Sequence, residues 1–319
     1  MIQFKLRIRH TTGNDLIANK EKIGANTDSV YSNLAVASMP MLFVLMWSTG
    51  FIIAKFGLPF APPLTFLLLR FSGVLIVLIP LAFLLRARWP AGQIGAIALA
   101  GILMQAGYLG GVWCAIKIGM PAGLSALIVG MQPILTAFAA PIIGESVRRR
   151  QWAGLLLGLS GVALVVGSNI KLSGLSWNSI ALCLFALASI TMGTLYQKRH
   201  CAHFDLRTGT IIQFAASILV MLPFAIYFEH FNFTFDSVTC NVSFIGSLLW
   251  AIFVLSIASI FLLFALLRKS AATNVTSLLY LTPPTTAVMA WFMFGEALSL
   301  SGVLGMLLAV TGVFFVVRK

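Results

Sequence analysis

The sequence predicts an all-α polytopic membrane protein with ten transmembrane helices arranged as two inverted five-helix repeats. Three observations predict it: an apolar content too large for a globular interior, an alternation of basic loops, and an internal duplication. Of 319 residues, 60% are hydrophobic and only 9% are charged, so the missing interior must be lipid. Apolar stretches recur every 25 to 35 residues or so, most of them near the roughly 20 residues that cross a bilayer. They place spans at about 37–56, 64–85, 93–115, 120–142, 151–168, 178–197, 208–228, 242–266, 271–293 and 299–317. The joins near 118 and 269 carry almost no polar break.

Basic residues distribute unequally over the alternate sides of these spans. One side takes Lys5, Arg7, Arg9, Lys20, Lys22, Arg86, Arg88, Arg148–Arg150, Lys198, Arg199, Arg207, Arg268, Lys269, Arg318 and Lys319, which is 17 of the 21. The other takes Lys55, Lys117 and Lys171, with Arg70 left inside a span. Positive-inside logic then puts both termini in the cytoplasm and requires an even number of spans. Trp89, Trp152 and Trp177 fall at span ends, where amphipathic rings prefer the headgroup layer.

Composition also excludes several functions. The net charge of +13 is spread over short loops without interleaved aromatics, which argues against a nucleic-acid partner. Cys114, Cys183, Cys201 and Cys240 have no ligand spacing, so they read as free thiols, and no metal is expected. No phosphate-binding GxxxxGK[ST] loop is present, and no cofactor is expected. His10, His200, His203 and His230 all fall outside the spans, which disfavours a membrane-embedded enzyme. Residues 1–35 are polar and basic without a signal peptide's apolar core and cleavage site, and read as a cytoplasmic tail.

The duplication emerges on shifting the chain against itself. An offset of 143 pairs Gly50 with Gly193, Lys55 with Lys198, Arg70 with Gln213 and Pro80 with Pro223. From the third span onward an offset of 151 pairs Lys117 with Arg268, Pro133 with Pro284, Gly144-Glu145 with Gly295-Glu296, and Gly161-Val162 with Gly312-Val313. Repeats are placed at 36–170 and 177–319. Each holds five spans, an odd number, so the second enters the membrane upside down. Inverted repeats meeting near the midplane are the architecture of alternating-access carriers.

The stretches "MLFVLMWSTGFIIAKFGLPFAPPLTFLLLRF", "GLSALIVGMQPILTAFAAPIIGESVRRRQWAGLLLGLSGVALVVG" and "NVTSLLYLTPPTTAVMAWFMFGEALSLSGVLGMLLAVTGVFFVV" carry a resemblance. They are similar to bacterial EamA-type members of the drug/metabolite transporter superfamily over about 39–317. The resemblance implies a ten-helix inner-membrane carrier, typically exporting amino acids or other small metabolites through a cavity between the repeats. A non-transporting receptor or scaffold and a membrane-embedded enzyme stand as the alternatives.

Arg70 is the sharpest single residue. A charge facing lipid costs roughly 2.5–3.5 kcal/mol or more, so a wet cavity or gate suits it, although the outer interface lies within snorkelling reach. An anionic carboxylate is the obvious guest. Its repeat mate Gln213 is neutral, so the two ends of a cavity would differ electrostatically.

Pro133 and Pro283-Pro284 interrupt the fourth and ninth spans and free backbone carbonyls that lipid cannot satisfy. Gln132 and Ser125 beside the first break, and Thr276, Tyr280 and Thr282 beside the second, are candidate substrate contacts, with hydroxyl-stabilised kinks as the structural reading. Trp47, Gln105, Tyr108, Trp113, Tyr196 and Trp250 are candidate cavity linings, or ordinary packing. Glu145 and Glu296 end the paired helices and are candidate gate or coupling groups. For Glu145 an ion pair with Arg148 or Arg149 one turn on is expected. Gly154, Gly158 and Gly161, with Gly305, Ala309 and Gly312, are spaced for close helix contact, in an inner seam or at a dimer interface. The expected partners are a small-molecule substrate and the lipid bilayer, with the chain a monomer or homodimer.

Overall fold

The computed structural model describes residues 38–318 apart from 51–52, 54–55, 57–58, 121, 168–175, 202–203, 230–240 and 295–298. The predicted tail, Lys55, Lys171, His203, His230, Cys240 and Glu296 lie outside the described residues. The chain divides into two units, Met1–Leu42 and Phe43–Lys319. The described part of the first, 38–42, is helical.

The second unit is all-α among its described residues, with ten helical segments. They are α1 (43–50), α2 (Pro63–Leu84), α3 (Ile94–Lys117), α4 (122–143), α5 (Arg149–Gly167), α6 (Trp177–His200), α7 (Leu206–Glu229), α8 (Val242–Lys269), α9 (272–294) and α10 (Leu300–Val317). Six of them, α2, α3, α6, α7, α8 and α10, are long and apolar enough to cross a membrane. Their large apolar side chains, such as Leu84, Leu219 and Val242, point outward, as a lipid-facing surface requires. The chain is therefore a polytopic helical protein, with fewer uninterrupted crossing helices than the ten spans expected.

Two of the missing crossings have a local cause. Helix α4 is built of Ala122–Val129, a turn at 130–131, Gln132–Ala139 and a 3₁₀ turn Ala140–Ile143. Helix α9 is built of Ala272–Ser277, a 3₁₀ stretch Leu278–Leu281 and Thr282–Phe294. In each, proline (Pro133, Pro283) falls in the first turn of the later piece, where its missing N–H is no loss. Gly144, with φ 80°, closes the 3₁₀ turn in the left-handed conformation.

Periodicity did not forecast a change of winding in α3 and α8. Ile102–Gly110 in α3 and Ala251–Ala258 in α8 are π-helical, an irregularity that often accompanies functional sites.

The tightest packing joins α5 to α10. A Cβ on Gly161 would lie 2.4 Å from the Ala309 nitrogen and 2.5 Å from the Gly305 oxygen; one on Gly305 would lie 2.6 Å from the Gly161 oxygen. A Cβ on Gly312 would meet the Gly158 nitrogen at 2.4 Å and the Gly154 oxygen at 2.6 Å. Backbone thus lies on backbone, a contact only small residues permit. The 151-residue offset exchanges Gly154 with Gly305 and Gly161 with Gly312, so it turns the contact Gly154–Gly312 into Gly305–Gly161.

Candidate functional site

A cavity with an empty volume of about 790 Å³ opens among α1, α2, α3 and α8. Its wall comprises Trp47 and Gly50 of α1, Arg70 of α2, a strip of α3 from Met104 to Ile116, and Leu255 and Ile260 of α8. A second cavity of about 520 Å³ shares Trp47, Tyr108 and Val112 with the first. It adds Ser125, Val129 and Gly130 from α4, Val162 from α5, and Leu279, Thr282 and Pro283 from α9. The breaks in α4 and α9 therefore border the same space as the π-helical part of α3. In hydrocarbon such irregular backbone is tolerated only against protein or a water-filled cavity.

Arg70 lies in the wall of the larger cavity. The residue is 6% exposed, and its Nε donates to Ser256 Oγ at 2.6 Å. Its terminal guanidinium nitrogens have no hydrogen-bond partner among the described residues. Gln105 and Tyr108 line the same wall and make no hydrogen bond to any described residue. Thr282 contributes to the smaller cavity a buried hydroxyl without a partner among the described residues. The surrounding surface is apolar and aromatic. Trp113 stacks on Phe66, with centroids 5.5 Å apart, and Trp47 packs on Phe43 at 5.3 Å. An apolar enclosure holding a few convergent polar groups is what a small organic ligand needs.

Of the residues singled out by sequence, Trp47, Arg70, Gln105, Tyr108 and Trp113 meet at the larger cavity, and Ser125, Thr282 and Pro283 at the smaller. Others fall elsewhere. Gln132 donates to Thr194 Oγ1 at 3.2 Å, and Gln213 to Gln197 Oε1 at 2.8 Å, within a buried polar band where α4 and α7 meet α6. Tyr196 stacks on His200, and Trp250 donates to Thr49 Oγ1 from an exposed position. Thr276 returns its hydroxyl to the Ala272 carbonyl, and Tyr280 is buried where a Cβ on Gly158 would strike its ring. Pro284 is buried near the start of the last α9 piece, and Pro133 in the corresponding place in α4.

Glu145 does not make the expected pair with Arg148 or Arg149. Its carboxylate meets Lys198 Nζ at 3.0 Å and accepts the backbone N–H of Ala272, capping α9. Lys198 also donates to the carbonyls of Leu267 and Ser270 that close α8. The reason is positional: the left-handed turn at Gly144 ends the helix before Glu145, so spacing one turn onward no longer describes its neighbours.

At the opposite end, Glu229 does a similar job that sequence spacing did not reveal. Helix α2 begins with prolines and has no side-chain cap of its own. Glu229 instead accepts the N–H groups of Leu64 at 2.9 Å and Thr65 at 2.8 Å, and the Thr65 hydroxyl. Lys117 Nζ stands 3.7 Å away. A carboxylate on the free N–H groups of a helix N-terminus satisfies both hydrogen bonding and the helix dipole. Ser256 is the other residue missed, although the 151-residue offset pairs it with Gln105 and so marked it. Among the described residues no group of three or more His, Cys, Asp or Glu is placed to hold a metal ion.

With this geometry in place, comparison with known proteins is informative. The sequence model of the EamA-like transporter family matches residues 34–167 and again 177–318. The chain is 28% identical over 281 residues to a "Probable amino-acid metabolite efflux pump" of Salmonella typhimurium, covering 86% of this chain and 92% of that protein. It is also 28% identical over 260 residues to the "Uncharacterized inner membrane transporter YedA" of Escherichia coli, covering 80% of this chain and 81% of that one. A solved structure described only as "Crystal structure of protein" superposes with a TM-score of 0.72 at 16% identity, covering 87% of this chain and 95% of its own, which shows the fold.

Proposed function

The chain belongs to the EamA-like transporter family, and from that premise we propose that it moves amino acids and related organic carboxylates through the cavity around Arg70 by alternating access. It is a multi-pass inner-membrane secondary transporter of small organic molecules and not an enzyme. The observation that carries the finer reading is Arg70. Its Nε is held by Ser256 while the rest of the guanidinium faces a cavity of about 790 Å³. That leaves the planar end, which fits a carboxylate bidentately, available to a cargo. Gln105 and Tyr108 orient the same guest, and the aromatic wall takes its apolar body.

The architecture proposed for this cycle is two inverted five-helix repeats, 36–170 and 177–319, with both termini in the cytoplasm. It is supported by the contacts that exchange between α5 and α10, by π-helical stretches in both α3 and α8, and by proline breaks in both α4 and α9. Glu145 at the cytoplasmic end and Glu229 at the outer end then tie one repeat to the other. Each is an ion-paired carboxylate capping a helix of the opposite repeat; both are closed in this structure, and each can serve as a closure that opens in its turn of the cycle. Net transport is outward, as the efflux function named for the Salmonella relative supports.

The reading is tested with the purified protein in proteoliposomes, loaded with a pooled labelled-metabolite mixture, with and without a pH gradient. Saturable flux of amino-acid or carboxylate species, lost in Arg70→Gln protein of unchanged folding, supports it. Flux of one cargo class that persists undiminished in the variant removes Arg70 from the path.

A further inference from the structure

Resting on the carboxylate reading above, we propose that the cavity recognises its cargo's carboxylate and apolar body but does not read an α-ammonium, so that N-acylated amino acids and simple carboxylic acids are carried at least as well as zwitterions. The inference comes from the balance of charge. Among the described residues, Arg70 is the one ionised side chain in the walls of the two cavities. The chain has eight acidic residues, Asp15, Glu21, Asp28, Glu145, Asp205, Glu229, Asp236 and Glu296, and none falls in the interior of a predicted span. This absence follows from the sequence itself.

Two carboxylates at helix ends, Glu229 and Glu145, are already committed. Glu229 accepts three hydrogen bonds from Leu64 and Thr65 and faces Lys117, and its side chain is 2% exposed. Glu145 is held by Lys198 and the Ala272 N–H. Neither lines either cavity. Among the described lining residues an entering ammonium would find only neutral acceptors, the Gln105 carbonyl and the Tyr108 hydroxyl among them, and would share the space with a guanidinium. Aromatic faces attract cations, but that attraction is weaker than a carboxylate's and does not offset the neighbouring guanidinium.

Net charge decides the ranking. A carboxylate without a charged amine makes a neutral pair with Arg70. A zwitterion leaves one uncompensated positive charge in a desolvated site, which is the costlier arrangement. A cargo bearing only the amine adds repulsion to that and gains nothing from Arg70.

The test uses two matched series, one aromatic (phenylalanine, N-acetylphenylalanine, 3-phenylpropionate, phenethylamine) and one aliphatic (leucine, N-acetylleucine, 4-methylpentanoate, isoamylamine). Binding to the purified full chain is read by the fluorescence of its tryptophans, two of which line the cavity, and flux by uptake into proteoliposomes. In at least one series the N-acetyl and des-amino compounds are expected to bind within about threefold of the amino acid or more tightly. The amine should be weaker by tenfold or more, and the order should flatten in Arg70→Gln. Tenfold loss on acetylation, or an amine that binds as well as its amino acid, overturns the inference while leaving a carboxylate carrier intact. If no compound of either series binds verified folded protein, the carboxylate reading itself falls and this inference falls with it.

Discussion

The α5–α10 seam and the Arg70 cavity belong to one duplicated chain and obey opposite rules. In the seam, positions related by the 151-residue offset are interchangeable: glycine faces glycine, and the contact made by Gly154 with Gly312 is remade by Gly305 with Gly161. At Arg70, by contrast, related positions diverge. Arg70 is charged and hydrogen-bonded to Ser256, whereas its counterpart Gln213 is neutral and bonded to Gln197. Where backbone must lie on backbone, only small residues work, and both copies keep glycine or alanine there. In the proposed cargo site one asymmetric charge suffices, and a second would repel the first.

The largest effects are expected at the seam. Gly161→Val is expected to abolish recovery of a folded, monodisperse protein, because the new side chain collides with the backbone of α10 at Ala309. Gly246→Val, where a Cβ meets nothing within 4 Å, should be recovered normally by the same size-exclusion measurement. The milder Gly161→Ala should still lower the melting temperature by roughly 5–10 °C, as overpacking by one methyl does.

At the cavity, Arg70→Gln should leave melting nearly unchanged but lower carboxylate uptake by about 10–100-fold, the worth of one charge-assisted contact. Gln213→Leu should lower uptake less than threefold. If the two variants behaved alike in uptake, the asymmetry drawn between these positions would be lost.

A smaller contrast separates the two capping carboxylates. Glu229→Ala strands two N–H groups and a hydroxyl around a side chain that is 2% exposed, whereas Glu145→Ala strands one N–H beside a site that is 17% exposed. The first should cost about 1–3 kcal/mol and the second less than half of that, measured as melting shifts in detergent.

The smallest effect is expected in the loop before α7, where the Arg207 guanidinium holds the Asp205 carboxyl below its ordinary range. Because the folded-state value is depressed, the stabilisation is present above the unfolded-state value, about 3.9, and disappears as pH falls through the folded one. Asp205→Asn should therefore flatten the acid limb of a stability-against-pH curve by lowering stability slightly at neutral pH, while the acid end, where the wild-type carboxyl is already protonated, stays unchanged.

How much of this was legible in the sequence depended on whether the signal was local. Proline told where α4 and α9 break, because its effect acts within one turn. Glycine spacing told which faces of α5 and α10 are small. Arg70 was conspicuous because charge in an apolar run is rare. Glu145 was misjudged for the complementary reason: its partner Lys198 is far away in sequence, and nearby arginines offered a plausible pair that the turn at Gly144 prevents. Glu229 escaped notice because a helix N-terminus has no side-chain signature beyond the absence of a cap, and the group that supplies one comes from another helix.

The sequence by itself determined the helical class, the need for lipid, and that the predicted spans hold a single charge and no carboxylate in their interiors. Composition and short-range sterics are enough for these. Only the tertiary structure decided that Arg70 is held by Ser256 at a cavity, that two π-helical stretches supply the residues around it, and that two distant carboxylates cap α2 and α9. Each of these depends on which helices become neighbours. That is settled by the summed packing of many side chains, which no local stretch of sequence encodes.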